Sequence, residues 1–175
     1  MGSNYSYKIT LSNNKTEQAA LDYLLEAERR YLLPTLESRK IIAEMFGFEP
    51  KFKRTFDLLL IDGHDNTESE IDLRPNDKNR VTLVEIKSTM KKLPDNPYGF
   101  FFGATKNEFD MAELLGAQYK FCFVCMHPET RSHRLLSLPE LKPLIRSQRT
   151  QYQINLKSGS KPDQSNGRSP DKRTT

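Results

Sequence analysis

The alternation of apolar and polar positions divides most of the chain into helices and strands. Apolar residues recur at helical spacing over residues 16–31 and 35–46, and Gly47 marks the expected end of the second helix. Continuous apolar runs predict strands at 55–61, 81–87, 99–104 and 119–126. Thr105 and Glu108 have the spacing of a capping box, which predicts a helix through about residue 115. Residues 135–145 contain two prolines, which predict turns or a brief helix.

This order of elements predicts an α/β fold with a mixed central β-sheet flanked by helices, in which a hairpin comes first and a crossover follows. The polar segment 62–79 is interpreted as a long hairpin loop with room for a short extra strand. We expect residues 1–156 to form a single domain. Residues 157–175 contain no apolar residue, so a disordered basic tail is predicted there.

The positive charge of the chain is concentrated near its end. The formal net charge is +4, but from Arg146 onward there are seven basic residues and two acidic ones. The remaining chain has 20 basic and 21 acidic residues and is close to neutral. Net charge therefore gives no argument that the folded body binds nucleic acid. The basic tail could add phosphate affinity, or it could only improve solubility.

Several classes of protein are disfavoured by the sequence. No apolar run approaches the ~20 residues of a membrane span, and the N-terminus lacks a signal-peptide pattern, so we expect a cytoplasmic protein with no membrane partner. Cys122 and Cys125 lie three positions apart in an apolar run and would face opposite sides of a strand. Two buried, reduced thiols are therefore predicted. The three histidines lack the spacing of a zinc site, and there is no glycine-rich phosphate loop.

Three charged residues stand in the predicted strands, where burial would disfavour them. Asp57 lies in the strand at 55–61, and Glu85 and Lys87 lie in the strand at 81–87. Alternation along a strand places Glu85 and Lys87 on the same face. If the two strands are neighbours, two carboxylates and an ammonium meet, which predicts a divalent-metal site with a base or charge stabiliser beside it. A buried structural ion pair between Lys87 and either carboxylate is the alternative.

The same residues resemble a known active site. An Asp followed on the next strand by Glu-x-Lys is similar to the signature of the PD-(D/E)xK, or restriction-endonuclease-like, nuclease superfamily. The resemblance implies a restriction-endonuclease-like core around a mixed sheet. It also implies that Asp57, Glu85 and Ile86 hold Mg²⁺ or Mn²⁺ and that Lys87 is the catalytic lysine.

The resemblance extends over roughly residues 35–126. The segments VEIKST at 84–89 and TKNE at 105–108, followed by Ala112 and Tyr119, look like the NO VEIN C-terminal domain subfamily. Many superfamily members add a catalytic carboxylate from the helix before the Asp strand, for which Glu37 is the best match and Glu44 the alternative. The 28 positions between Asp57 and the next motif carboxylate are more than the subfamily usually has, so an insertion is expected in the hairpin.

Basic residues beside the predicted site indicate where DNA would bind. Lys91 and Lys92 follow the strand that carries the catalytic lysine, and Lys53 and Arg54 lead into the Asp strand. Such residues commonly contact backbone phosphates. The aromatic run at 100–102 is interpreted mostly as core.

The predicted function is a metal-dependent endonuclease that hydrolyses DNA phosphodiester bonds in a restriction, mobile-element or repair system. To cut both strands, it would act as a homodimer or with a partner helicase or nuclease subunit. One alternative is a catalytically silent nucleic-acid-binding or assembly module on the same fold. Another is an interaction domain in which the three charged residues form a structural ion pair.

Overall fold

The computed structural model describes residues 3–65, 73–150, 154 and 156, with side chains from residue 15 onward except at position 75. The chain divides into two compact units, Met1–Ile145 and Arg146–Thr175. The described residues of the second unit lie in no helix or strand. The predicted basic tail at 157–175 lies outside the described residues, and the single domain over residues 1–156 stays a prediction.

The first unit contains a five-stranded mixed sheet in the order β1-β2-β3-β4-β5. Strands β3 and β4 are parallel, and the other neighbouring pairs are antiparallel. This arrangement confirms the predicted mixed sheet flanked by helices, with a β2–β3 hairpin followed by a crossover through α3. The elements are α1 Ser3–Ala27, β1 Tyr31–Leu32, α2 Leu36–Phe46, β2 Leu58–Ile61, β3 Val81–Thr89, α3 Lys106–Leu115, β4 Tyr119–Cys125, β5 Ser132–Leu136 and α4 Leu138–Leu141.

The sheet separates two apolar layers. Helices α2, α3 and α4 pack on one face, where Leu83, Phe121 and Phe123 are buried. Helix α1 packs on the opposite face through Ala20 and Leu24. Because side chains alternate along a strand, the positions of β3 that follow Leu83 by two and four residues lie on the α3 face. The charged motif of β3 therefore lies on the α3 face.

The beginnings of α2 and α3 follow from local capping. The Thr35 hydroxyl accepts a hydrogen bond from the Ser38 amide at 3.1 Å, and α2 ends at Gly47, whose φ of 69° suits a residue without a side chain. The Thr105 hydroxyl accepts from the Glu108 amide at 3.3 Å and begins α3. Both helices start where the sequence predicts them.

The predicted strand at 99–104 is wrong, because this segment has no strand pairing. Strands β3 and β4 pair directly with each other, which leaves no room between them for another strand. The segment instead crosses the α3 face of the sheet, where the rings of Phe100 and Phe102 pack on that of Phe123 at 5.1 and 5.0 Å between centroids. The sequence analysis also missed the two outer strands, β1 and β5, which are short and only partly apolar.

Other expectations concern burial and membranes. Cys122 and Cys125 are both buried, free thiols, as predicted, and burial raises the pKa of Cys122 to about 12. Within the part of the chain that the structure describes, no helix is long and apolar enough to cross a membrane.

Candidate active site

Asp57 lies immediately before β2 and ends the β2–β3 ladder. Its amide donates to the Val84 carbonyl at 2.8 Å, and its carboxylate accepts from the Ile86 amide at 2.8 Å. The carboxylate thus takes the place of a strand carbonyl, which explains why β2 begins at Leu58 and not at residue 55. The amide and carbonyl of one strand residue point to the same side, so the Ile86 carbonyl faces the same open edge as the Asp57 carboxylate.

The carboxyl groups of Glu85 and Asp57 lie near each other, because Asp57 binds the amide of Ile86, the residue next to Glu85. Glu85 is 8% exposed, and burial together with the negative charge of Asp57 raises the pKa of Glu85 to about 8. Burial also raises the pKa of Asp57. At neutral pH the two groups therefore share a proton, because burial and the negative charge of Asp57 outweigh the attraction of the Lys87 ammonium for an ionised Glu85.

Lys87 lies on the same face of β3 and is held by two carboxylates. Its Nζ is 2.8 Å from Oε1 of Glu85 and 2.7 Å from Oε2 of Glu108. Burial alone would lower the pKa of Lys87, but the two carboxylates outweigh it and raise the pKa. Lys87 is therefore a half-buried cation that has Glu108 of α3 as its counter-ion and Glu85 of its own strand as a second hydrogen-bond acceptor.

The contact between Glu108 and Lys87 corrects the predicted capping box. The Thr105 hydroxyl accepts from the Glu108 amide, but the Glu108 carboxylate turns to Lys87 and does not return to the Thr105 amide. Glu108 is 8% exposed, which is unusual for a glutamate in the first turn of a helix. A carboxylate that the sequence analysis read as a helix cap is part of the site.

A cavity of about 330 Å³ opens where β2 begins, and Glu17, Arg39, Asp57 and Ile86 contribute to its lining. Glu17 reaches it from α1. Partial burial and the negative charge of Asp57 raise the pKa of Glu17, and Lys87 lowers it. The helix carboxylate that faces Asp57 is therefore Glu17.

The predicted helix carboxylate, Glu37, is not among the residues that the structure brings together. It is exposed in the first turn of α2, as is Glu44 near the end of that helix. Residues two apart on an α-helix project roughly 200° from each other. Since Arg39 faces the cavity, Glu37 projects to the other side of α2. The sequence analysis considered the helix directly before β2, whereas the carboxylate that lines the cavity beside Asp57 comes from the helix before that one.

Arg39 fixes the segment that leads into β2. Its Nη1 donates to the carbonyls of Lys53 and Phe56 at 2.7 and 2.9 Å, and its guanidinium lies 4.6 Å from the centroid of the Phe56 ring. Burial lowers the pKa of Arg39 and the nearby Asp57 raises it. Arg39 therefore positions Asp57 through the backbone of the preceding residue. An arginine in an amphipathic helix looks like a surface charge, so the sequence held no clear signal for it.

The predicted DNA-contacting residues flank the site on two loops. Lys53 is half-buried and Arg54 is exposed on the segment that Arg39 holds. Lys91 and Lys92 are exposed in the loop after β3. Their ammonium groups are engaged, Lys91 with the Gly99 carbonyl at 3.2 Å and Lys92 in an exposed ion pair with a glutamate near β5.

The oxygen atoms at the end of β2 suit a hard divalent cation. The Asp57 carboxylate and the Ile86 carbonyl face one edge, Glu85 lies beside them on the α3 face, and oxygen ligands favour Mg²⁺ or Mn²⁺. A dication would replace the proton that Asp57 and Glu85 share, so the residues present fit it. Among the described side chains, no three or more His, Cys, Asp or Glu residues converge into a ready-made metal cluster.

Comparison of this chain with protein-family models, with curated proteins and with solved structures finds no match. What the site can do must accordingly follow from its own residues.

Proposed function

We propose that this chain is a Mg²⁺- or Mn²⁺-dependent endodeoxyribonuclease of the PD-(D/E)xK type, with a restriction-endonuclease-like core closest to the NO VEIN C-terminal domain subfamily. One observation carries the proposal: the Asp57 carboxylate binds the amide of Ile86, next to Glu85 on β3, and the Lys87 ammonium binds Glu85 at 2.8 Å. Two neighbouring acids with raised pKa values beside a lysine are the kind of group that active sites use, which supports the proposal.

In this proposal, Asp57, Glu85 and the Ile86 carbonyl hold the metal ion. When bound, the ion lowers the pKa of a coordinated water and stabilises the negative charge of a phosphodiester undergoing hydrolysis. The proton shared by Asp57 and Glu85 leaves when the ion binds, so binding is favoured as pH rises. Glu17 supplies further negative charge from α1.

Lys87 then acts as a fixed cation beside the reacting phosphate. Its ammonium stabilises the charge that develops on the phosphate oxygens. If Glu85 turns toward a metal ion, Glu108 stays as the counter-ion of Lys87, so the ammonium keeps its orientation. Glu108 is therefore a positioning residue, because it acts through Lys87 and not on the substrate.

DNA is the proposed partner, and restriction, mobile-element or repair processes are the proposed setting. Lys53, Arg54, Lys91 and Lys92 would contact backbone phosphates on both sides of the cavity. One such site cuts one strand, so a double-strand break would need a homodimer or a partner helicase or nuclease subunit.

Cleavage of supercoiled plasmid tests the proposal. We expect nicking or linearisation with Mg²⁺ or Mn²⁺, none in excess chelator, and a loss of at least about 100-fold in Lys87→Ala. Lys142→Ala is the matched control, since Lys142 is 60% exposed and its partner Glu113 is also on the surface. Cleavage by Lys87→Ala at the wild-type rate, or cleavage in chelator, would contradict the proposal.

A silent nucleic-acid-binding or assembly module is the second candidate. It is favoured by the buried ion pairs of Lys87 with Glu85 and Glu108, which neutralise the lysine without any ligand. Such a protein would bind DNA with an affinity that falls as the salt concentration rises, and it would not cleave DNA with any metal ion.

A further inference from the structure

The loop from residue 90 to 105 begins and ends beside Lys87. Strand β3 ends at Thr89, two residues after Lys87. The helix that follows the loop places Glu108 on the Lys87 ammonium at 2.7 Å. Both ends of this loop are therefore close to the proposed active site.

Two phenylalanines anchor the loop on the sheet face that carries Lys87. The rings of Phe100 and Phe102 contact that of Phe123 on β4. Phe123 is the direct neighbour of Lys87 in the parallel β3–β4 register. Paired residues of adjacent strands project to the same face. The two rings consequently pack beside Lys87 and not on the α1 face.

The first half of the loop is fixed by hydrogen bonds. The buried side chain of Asn96 donates to the Phe123 carbonyl at 2.9 Å and to the Ser132 carbonyl at 3.4 Å. Two successive turns follow, in which the amides of Tyr98 and Phe100 donate to the carbonyls of Asp95 and Pro97 at 2.8 and 3.0 Å. Residues 95–100 are therefore a preformed surface.

This preformed loop turns two aromatic rings toward solvent. Phe101 is 92% exposed, although its neighbours on both sides are packed on the sheet, and Tyr98 is 58% exposed. The Lys91 ammonium binds the carbonyl of Gly99, which lies between these two residues in the chain, at 3.2 Å. Exposed rings with a cation beside them are the elements on which unpaired bases stack while the charge attracts the backbone.

We propose that Phe101, assisted by Tyr98 and Lys91, stacks on an unpaired base of the DNA strand that enters the site. The inference rests on the proposed function and names its substrate class, namely DNA with a single-stranded or unstacked segment at the point of cleavage. The rings of a base-paired duplex are stacked on one another and offer no face to Phe101, whereas overhangs, flaps and gaps do.

Binding of two labelled DNAs in excess chelator tests the inference by fluorescence anisotropy. One is a blunt duplex, and the other is the same duplex with a single-stranded overhang. We expect the wild type to prefer the overhang and Phe101→Ala to bind it about 5- to 100-fold more weakly, which corresponds to the loss of one stacked base. Blunt-duplex affinity should stay unchanged, and Phe101→Trp should retain the preference. Leu114→Ala is the control, because Leu114 is a 60% exposed apolar residue on α3.

Three outcomes would overturn the inference: equal affinity of wild type and Phe101→Ala for the overhang, an equal loss on both DNAs, or a wild-type dimer that Phe101→Ala converts to monomers in sedimentation. The last result would mean that a second copy of the chain covers the ring. Because these measurements need no cleavage, they separate the two proposals. Cleavage without a Phe101 effect on binding would remove the inference alone, and a Phe101 effect with no cleavage of either the plasmid or the overhang duplex in Mg²⁺ or Mn²⁺ would remove the nuclease alone.

Discussion

Substituting Glu85 by glutamine should stabilise the metal-free protein at alkaline pH. The folded-state pKa of Glu85 is raised from 4.5 to about 8, so the folded protein keeps a proton that the unfolded chain has lost over this range. The stabilisation that this proton provides is fully present below the pKa of Glu85 in the unfolded chain. It is lost as the pH rises through the pKa of Glu85 in the folded protein. Between about pH 5 and pH 8.5, Glu85 thus lowers the free energy of unfolding by about 4 kcal/mol.

Glutamine is the suitable replacement because its amide has the shape of a neutral carboxyl. It can still donate to Asp57 and accept from Lys87. At about pH 5 the variant should match the wild type, and at about pH 8.5 it should be about 4 kcal/mol more stable, or roughly 8–16 °C in Tm. Urea and thermal melts in chelator at the two pH values measure this difference.

Glu113→Gln is the matched control. Glu113 is 63% exposed on α3, so its substitution should change stability by less than about 0.5 kcal/mol at either pH. The reasoning is refuted if Glu85→Gln keeps the pH dependence of the wild type, or if it is several kcal/mol less stable at both pH values. Either result would identify Glu85 as the ionised half of a structural ion pair with Lys87.

Three further predictions concern the metal and the residues around it. Mn²⁺ should raise the Tm of the wild type at about pH 8 but not that of Asp57→Asn, and an equal rise in both would place the ion elsewhere. Glu17→Gln should weaken Mn²⁺ binding in calorimetry while Glu37→Gln leaves it unchanged, since of these two glutamates Glu17 lines the cavity. Weaker binding by Glu37→Gln alone would show that the α2 glutamate serves the metal instead. Arg39→Ala should lower the free energy of unfolding by about 1–3 kcal/mol in urea, because two carbonyls lose a charged donor, and no loss would contradict the positioning role.

Much of the centre of the fold could be predicted from local patterns. The apolar run around Glu85 and Lys87 predicted β3, and alternation placed both side chains on one face, where their charged atoms are now 2.8 Å apart. The Thr105 cap predicted the beginning of α3. These features depend on neighbours within a few residues, which is the range over which sequence patterns act.

The rest depended on how distant segments pack. Glu17 is 40 positions from Asp57, and nothing in the sequence indicates that α1 rather than α2 places a carboxylate near the beginning of β2. The aromatic run at 100–102 has the composition of a strand, yet β3 and β4 already pair with each other. Glu108 satisfied the pattern of a capping box so well that its contact with Lys87 could not be foreseen.

The hydrogen bond from the Ile86 amide to Asp57 gives the protein a built-in spectroscopic reporter. Most strand amides are bonded to carbonyls, which do not titrate, whereas this one is bonded to a carboxylate that does. The amide resonance of Ile86 should therefore move when Asp57 gains or loses a proton. A single cross-peak in a nitrogen–proton correlation spectrum would follow the charge of the site, before any substrate is known.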